Sequence, residues 1–292
     1  MTTTEHGILV GVTGRGENTA ALVWAAAEAR RRSCAITLVH AVTPVLPPPP
    51  PSVLLTSGPL LDVGKLVLEE VSEELVALAG PDVPVRSLVE HQHAGWLLTE
   101  LSADAELVVV AHRRRRGLGR IATRSTAVSA AAHAHCPVVA VPSDWSGDPT
   151  AAGQAWVTVG VHEAGGPEEA LEAGFALADE RGAPLRLVHA WRSDPVYEDI
   201  IMRRVDPGWA DRARDEVQRF ARPVADRYPG VEVDVLVEHQ WPADALVDLA
   251  PTSAVLVVGR HGTPLPLPPR LGSVARTVLT KAPCPVVVVP VP

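Results

Sequence analysis

The chain has 292 residues, a formal net charge of −8, 47% hydrophobic residues and only 4% aromatic ones. That length suits two domains with aliphatic cores, and the acidic balance provides no overall attraction to nucleic acid or to an anionic membrane surface. No apolar run approaches the ~20 residues of a membrane helix, the first residues lack the basic start and apolar stretch of a signal peptide, and an odd, sparse set of cysteines, Cys34, Cys136 and Cys284, fits a reducing cytoplasm.

The first apolar run, ILVGVTG from Ile8, reads as a strand buried on both faces, as in a parallel sheet. NTAALVWAAAEARRR follows, with Leu22, Ala25, Ala26 and Ala29 on one helical stripe and Asn18 as its candidate cap. ITLVHAV from Ile36 is a second strand. The prolines Pro47 to Pro51 predict a stiff, polyproline-type surface loop. KLVLEEVSEELVALAG from Lys65 is an amphipathic helix, LVEHQ from Leu88 a strand, ELVVVAHR from Glu106 another, and HCPVVAVP from His135 the last. Cys136 and Cys284 each enter a strand in CPVV and read as small buried residues.

The series then repeats. VTVGVHE at Val157, LRLVHAW at Leu185, LVEHQ at Leu236, AVLVVGRH at Ala254 and PCPVVVVP at Pro283 match the five earlier motifs in order, at an offset of 149 and later 148 residues. Five ordered matches mark a duplication. PSDWSGDPTAAGQ, Pro142 to Gln154, has the Gly, Pro, Ser and Asp content of a linker and no apolar period. The expected domains are residues 1–142 and 155–292, joined by 143–154. PEEALEAGFALADERG from Pro167 is a helix with proline suited to its first turn and Gly182 to its end, and WADRARDEVQRFARPVADRY from Trp209 is another. Strands alternating with helices predict an α/β, doubly wound unit in each copy.

GRHGTPLPLPPRLGS, Gly259 to Ser273, lies where such sheets bind ligands, beyond the carboxyl end of a strand. Glycine permits positive φ and close backbone approach. Amides at a helix start favour an anion, Ser273 adds a hydroxyl, and the prolines carry the chain around with little entropy loss. The spacing is neither a Walker A loop nor a Rossmann fingerprint. Glycine, two residues, glycine, nine residues, glycine-serine resembles the nucleotide-binding signature of the universal stress protein family. With VTVGVHE, ALEAGFALADERGAPLRLVHAW and the terminal APCPVVVVP, the resemblance covers nearly the whole chain, in tandem form.

The resemblance implies two open, parallel, five-stranded sheets of order 3-2-1-4-5 with helices on both faces. It implies ATP, with or without Mg2+, as ligand. Val161 and His162 would flank adenine, and Ala190 would form an apolar wall. Val258 and Gly259 would approach ribose and phosphates. Gly262, Gly272, Ser273 and Val274 would hold the phosphates, and Arg260 would add charge. Family members pair through their last strands, so CPVVAVP and CPVVVVP are expected to meet as an intramolecular pseudo-dimer, with a homodimer and an unidentified protein partner as further expectations. Nucleic acid and membrane are not expected partners.

Two departures bear on the ligand. His162, and Thr13 in the first copy, stand where the family has Asp, and PLPLPP lacks the family's polar and basic loop residues. In the first copy Ala111, Arg114 and Arg124 replace Gly259, Gly262 and Gly272, while Ser125 matches Ser273. Added side chains intrude on phosphate volume, so binding is expected in the second copy alone. Arg113 to Arg116 read as a solvated loop, with an anion contact as the alternative. His91 with His93, and His133 with His135, lack a third ligand at metal spacing. Hydrolysis would need a base and usually a carboxylate for magnesium; only His162 and His261 stand near the loop. A regulatory ATP-binding protein with little or no turnover is the first expectation. A slow ATP hydrolase, or an interaction module with both sites degenerate, are the others.

Overall fold

The computed structural model describes residues 4–14, 16–43, 57–113, 125–147, 155–162, 168–192, 208–260 and 271–291. The polyproline run Pro47 to Pro51 lies outside them. The chain divides into two compact units, the first ending at Gly147.

In the first unit the strands are β1 (Ile8–Gly11), β2 (Ile36–Ala41), β3 (Val85–Glu90), β4 (Leu107–His112) and β5 (Val138–Pro142). They alternate with α1 (Thr19–Arg32), α2 (Ser57–Ala79), α3 (Ala94–Leu101) and α4 (Thr126–His133). The strand order is β3-β2-β1-β4-β5, with every described pairing parallel. The second unit repeats this with β6 (Trp156–Val161), α5 (Glu168–Arg181), β7 (Leu185–Ala190), α6 (Trp209–Ala225), β8 (Val233–Glu238), α7 (Pro242–Leu249), β9 (Ser253–Gly259), α8 (Ser273–Lys281) and β10 (Val286–Val289). Its order is β8-β7-β6-β9-β10, again parallel. Both units have the expected 3-2-1-4-5 order.

Sequence character explains the layers. The central strands are covered on both faces, so they are continuous Val, Ile and Leu runs; Ile8, Leu9 and Val10, and Val157 and Val159, have no exposed surface. α1 packs on β1, β4 and β5, while α3 packs on β1 and β2. The predicted stripe of α1 is buried: Leu22, Ala25, Ala26 and Ala29 all face the core. Gly182 lies just beyond α5 with φ +59, the left-handed conformation that suits glycine there. The cap reading at Asn18 does not hold. Asn18 occupies the N-cap position of α1, but its side chain makes no cap bond and donates instead to the Gly14 carbonyl at 2.8 Å. The turn after β1 therefore uses this amide, and the helix start does not.

Burial pushes the thiols of Cys136 and Cys284 up to about 12 and that of Cys34 up to about 11. A thiol reacts as its thiolate, and Cys136 and Cys284 are both buried. With a thiol reagent at pH 8, the native protein should therefore lose at most Cys34, slowly, and the denatured chain all three. Rapid labelling of two or more thiols in the native state would contradict this burial.

Candidate functional site

In the second unit the winding reverses between β6 and β9, and there the carboxyl ends of neighbouring strands splay apart. A cavity of about 360 Å³ opens at this point. Its floor comes from strand ends. Val161 closes β6, His162 follows it, Ala190 closes β7, and Val258 and Gly259 close β9; Val274 arrives from the first turn of α8. These six predicted residues are brought together on one lining.

The other four are placed differently. Arg260 leaves β9 with its amide donating to the Val289 carbonyl at 2.7 Å, and it is not part of the lining. Burial lowers its guanidinium pKa from the ordinary value, though arginine stays protonated in proteins. Gly272 is the N-cap of α8 and Ser273 its first residue, exposed to solvent. Gly262 lies outside the described residues.

Gly272 does not use the positive φ expected of it: its φ is −58° and its ψ 158°. Any L-residue adopts that extended conformation. What glycine leaves free at the start of α8 is the volume of a side chain beside the helix's unpaired amides.

Gly160, Trp191, Arg192 and Trp241 escaped the sequence reading, whereas His189, which like His40 ends a strand beside its proposed site, was expected to shape the pocket floor or to satisfy strand-end backbone. Gly160 precedes Val161, and a Cβ there would stand 3.0 Å from Leu246 Cδ1, so its absence lets α7 close on the strand end. Gly11 has the same relation to Leu98 in the first unit. His189 is buried with Nδ1 3.4 Å from the Val161 carbonyl oxygen, and His40 repeats the arrangement toward Val12 at 3.0 Å. Trp191, Arg192 and Trp241 complete one side. Both tryptophans directly follow repeat motifs, Trp191 after LVHA and Trp241 after LVEHQ, and that placement was the available signal.

The first unit also keeps a cavity at its switch point, about 690 Å³, so Ala111 in place of glycine does not close it. Its chemistry has changed instead. Arg113 pairs with Glu17 at 3.1 Å, and the Thr13 hydroxyl donates to the same carboxylate at 3.0 Å. All three residues line that cavity. Arg114, Arg115, Arg116 and Arg124 lie outside the described residues. Ser125 is the N-cap of α4, its hydroxyl accepting from the Val128 amide at 3.5 Å.

Among the described residues, no three His, Cys, Asp or Glu side chains converge as metal ligands. His91, His93, His133 and His135 are all exposed. Among those residues, too, no helix is long and apolar enough to cross a membrane.

Comparisons with known proteins agree with the repeat. The pattern of the Universal stress protein family matches residues 6–142 and again 157–290. A universal stress protein of Mycolicibacterium smegmatis is 31% identical over 295 residues, covering 98% of this chain and 97% of its own length. One from Mycobacterium tuberculosis is 33% identical over 298 residues, covering 97% and 95%. Among solved structures, a universal stress protein from Archaeoglobus fulgidus superposes with a TM-score of 0.67 over 97% of this chain and 98% of its own, at 14% identity, a likeness of fold. With both halves matched separately and the strand order repeated in each unit, the chain belongs to the universal stress protein family, in the tandem form that carries the family's domain twice.

Proposed function

We propose that this chain is an adenine-nucleotide-binding regulatory protein of the stress response, taking ATP in its second unit with little or no turnover. The observation that carries the reading is the cavity at the β6/β9 switch point, where strand-end residues and the first turn of α8 converge. One feature beside the cavity suits such a ligand. The bare N-cap at Gly272 leaves the leading amides of a nine-residue helix open to an anion.

Val161, His162 and Ala190 would hold the base. Val258 and Gly259 would meet the ribose. The backbone of Gly272, Ser273 and Val274, with the Ser273 hydroxyl, would hold the phosphates, and Gly262 joins them on sequence grounds. Arg260 would contribute positive charge nearby. Bound ATP supplies a charged triphosphate whose presence or absence can shift a conformation or a pairing that a protein partner recognises. No Asp or Glu belongs to the described lining, so any Mg2+ would be held chiefly by the phosphates. The same lack of a carboxylate supports binding over efficient hydrolysis. Isothermal titration with ATP tests the reading, and single-turnover hydrolysis tests the absence of catalysis.

His162 is exposed and lines the cavity. A carboxylate there would accept from the adenine amino group. His162→Asp should therefore tighten ATP by about tenfold or more, the size of one added hydrogen bond to a charged acceptor. An unchanged dissociation constant would place position 162 away from the base.

A further inference from the structure

One wall of the second unit's cavity is aromatic, in a chain with few aromatic residues. Of the 7 tryptophans, three gather here: Trp191 directly after β7, Trp209 at the start of α6, and Trp241 at the N-cap of α7. Trp191 and Trp241 line the cavity. Trp209 and His239 do not, and each has its ring centroid 4.5 Å from that of Trp191. Such edge-on and tilted contacts fix an aromatic ring in place. Trp241 is 44% exposed, and the Arg192 guanidinium carbon stands 6.0 Å from its ring centroid. The wall is not inherited from the duplication. At the repeat offsets, Trp191 corresponds to Val42 and Trp241 to His93, which is likewise the N-cap of its helix.

An indole face and a carboxylate recognise a base in different ways. A carboxylate reads the amino group of adenine. An aromatic face reads only planarity, because every base has a π-face. The described lining holds two tryptophans and no Asp or Glu.

We infer that the second unit recognises its ligand by stacking: Trp241, beside the braced Trp191, receives the planar base of a nucleotide, so that adenine and guanine nucleotides bind with similar affinity. This rests on the nucleotide reading proposed above and specifies what that site recognises. Trp241 is the base-stacking residue, and the phosphate-binding backbone is indifferent to the base.

The test is titration calorimetry on the full chain with ATP, GTP and inorganic tripolyphosphate, with tryptophan emission recorded in parallel. ATP and GTP should agree within about threefold and quench emission, and tripolyphosphate should bind at least about tenfold more weakly, the size of one stacked base. Trp241→Ala should weaken both nucleotides by about tenfold, while Trp241→Phe, which keeps a ring, should stay within about threefold of the parent. If GTP binds more than tenfold more weakly than ATP, or Trp241→Ala leaves ATP affinity unchanged, the stacking inference falls and the nucleotide reading survives. If the parent chain binds tripolyphosphate as well as ATP, the base is not recognised at all, and the inference falls the same way. If it binds no nucleotide, both fall. The comparison of the three ligands on the parent chain decides the matter even where a variant does not fold.

Discussion

Gly272→Leu is expected to weaken ATP binding by about thirtyfold or more while leaving the fold intact. The expectation follows from how a helix start holds an anion. Its amides must reach contact distance, and each charge-assisted bond contributes about 1.5–3 kcal/mol. A side chain at the N-cap of α8 would occupy the space through which phosphate approaches, so more than one bond is lost at once. Gly272 already has an extended backbone, so leucine brings no φ strain there. The loss of a favoured N-cap residue costs only ~1 kcal/mol. Calorimetry should thus show binding lost, and thermal unfolding only a small decrease in midpoint. Unchanged affinity would remove Gly272 from the site. Leucine is the sharper choice over arginine, the residue at the matching position 124, because arginine adds charge as well as bulk.

Phe175→Ala should destabilise the second unit by about 3–5 kcal/mol, the usual cost of deleting a buried aromatic ring. Phe175 has no exposed surface and lies on α5, which packs on β6, β9 and β10. Its ring stacks with that of Tyr228 at 5.8 Å, and the Tyr228 hydroxyl donates to Glu172 at 2.6 Å. The cavity left behind would be lined by aliphatic side chains and a ring held on its far side by that hydrogen bond, so it cannot collapse freely. The first unit has Ala26 at the matching place, also buried. The two units therefore fill the same core position differently. Urea unfolding followed by tryptophan fluorescence should show the loss; a change below 1 kcal/mol would mean that the ring is not part of the core.

The fold was legible because both its signals are long-range and redundant. Strands covered on both faces must be apolar throughout, and each such run occurs twice at a constant offset. The ends of those runs are the ends of β6, β7 and β9, which sets Val161, Ala190, Val258 and Gly259 at strand ends, while their grouping around a ligand came from the family resemblance. Local chemistry was harder to read. Asn18 had the right type and position for a cap, yet its amide bonds to Gly14, a choice made by the turn. Gly272 suggested a left-handed backbone and has an extended one. Trp191 and Trp241 belong to no periodic face, and their one signal was a place directly after a repeat motif. The glycine losses in the first unit suggested a filled crevice, but one remains, altered by the Glu17–Arg113 pair. In that pair the Glu17 carboxylate offsets the positive charge that Arg113 would otherwise offer to a phosphate.

The central claim is that one of the two units binds ATP. Isothermal titration of ATP into the full chain tests it most directly. The account predicts one site per chain, abolished by Gly272→Leu. No binding heat and no bound nucleotide, or two equivalent sites per chain, would contradict it.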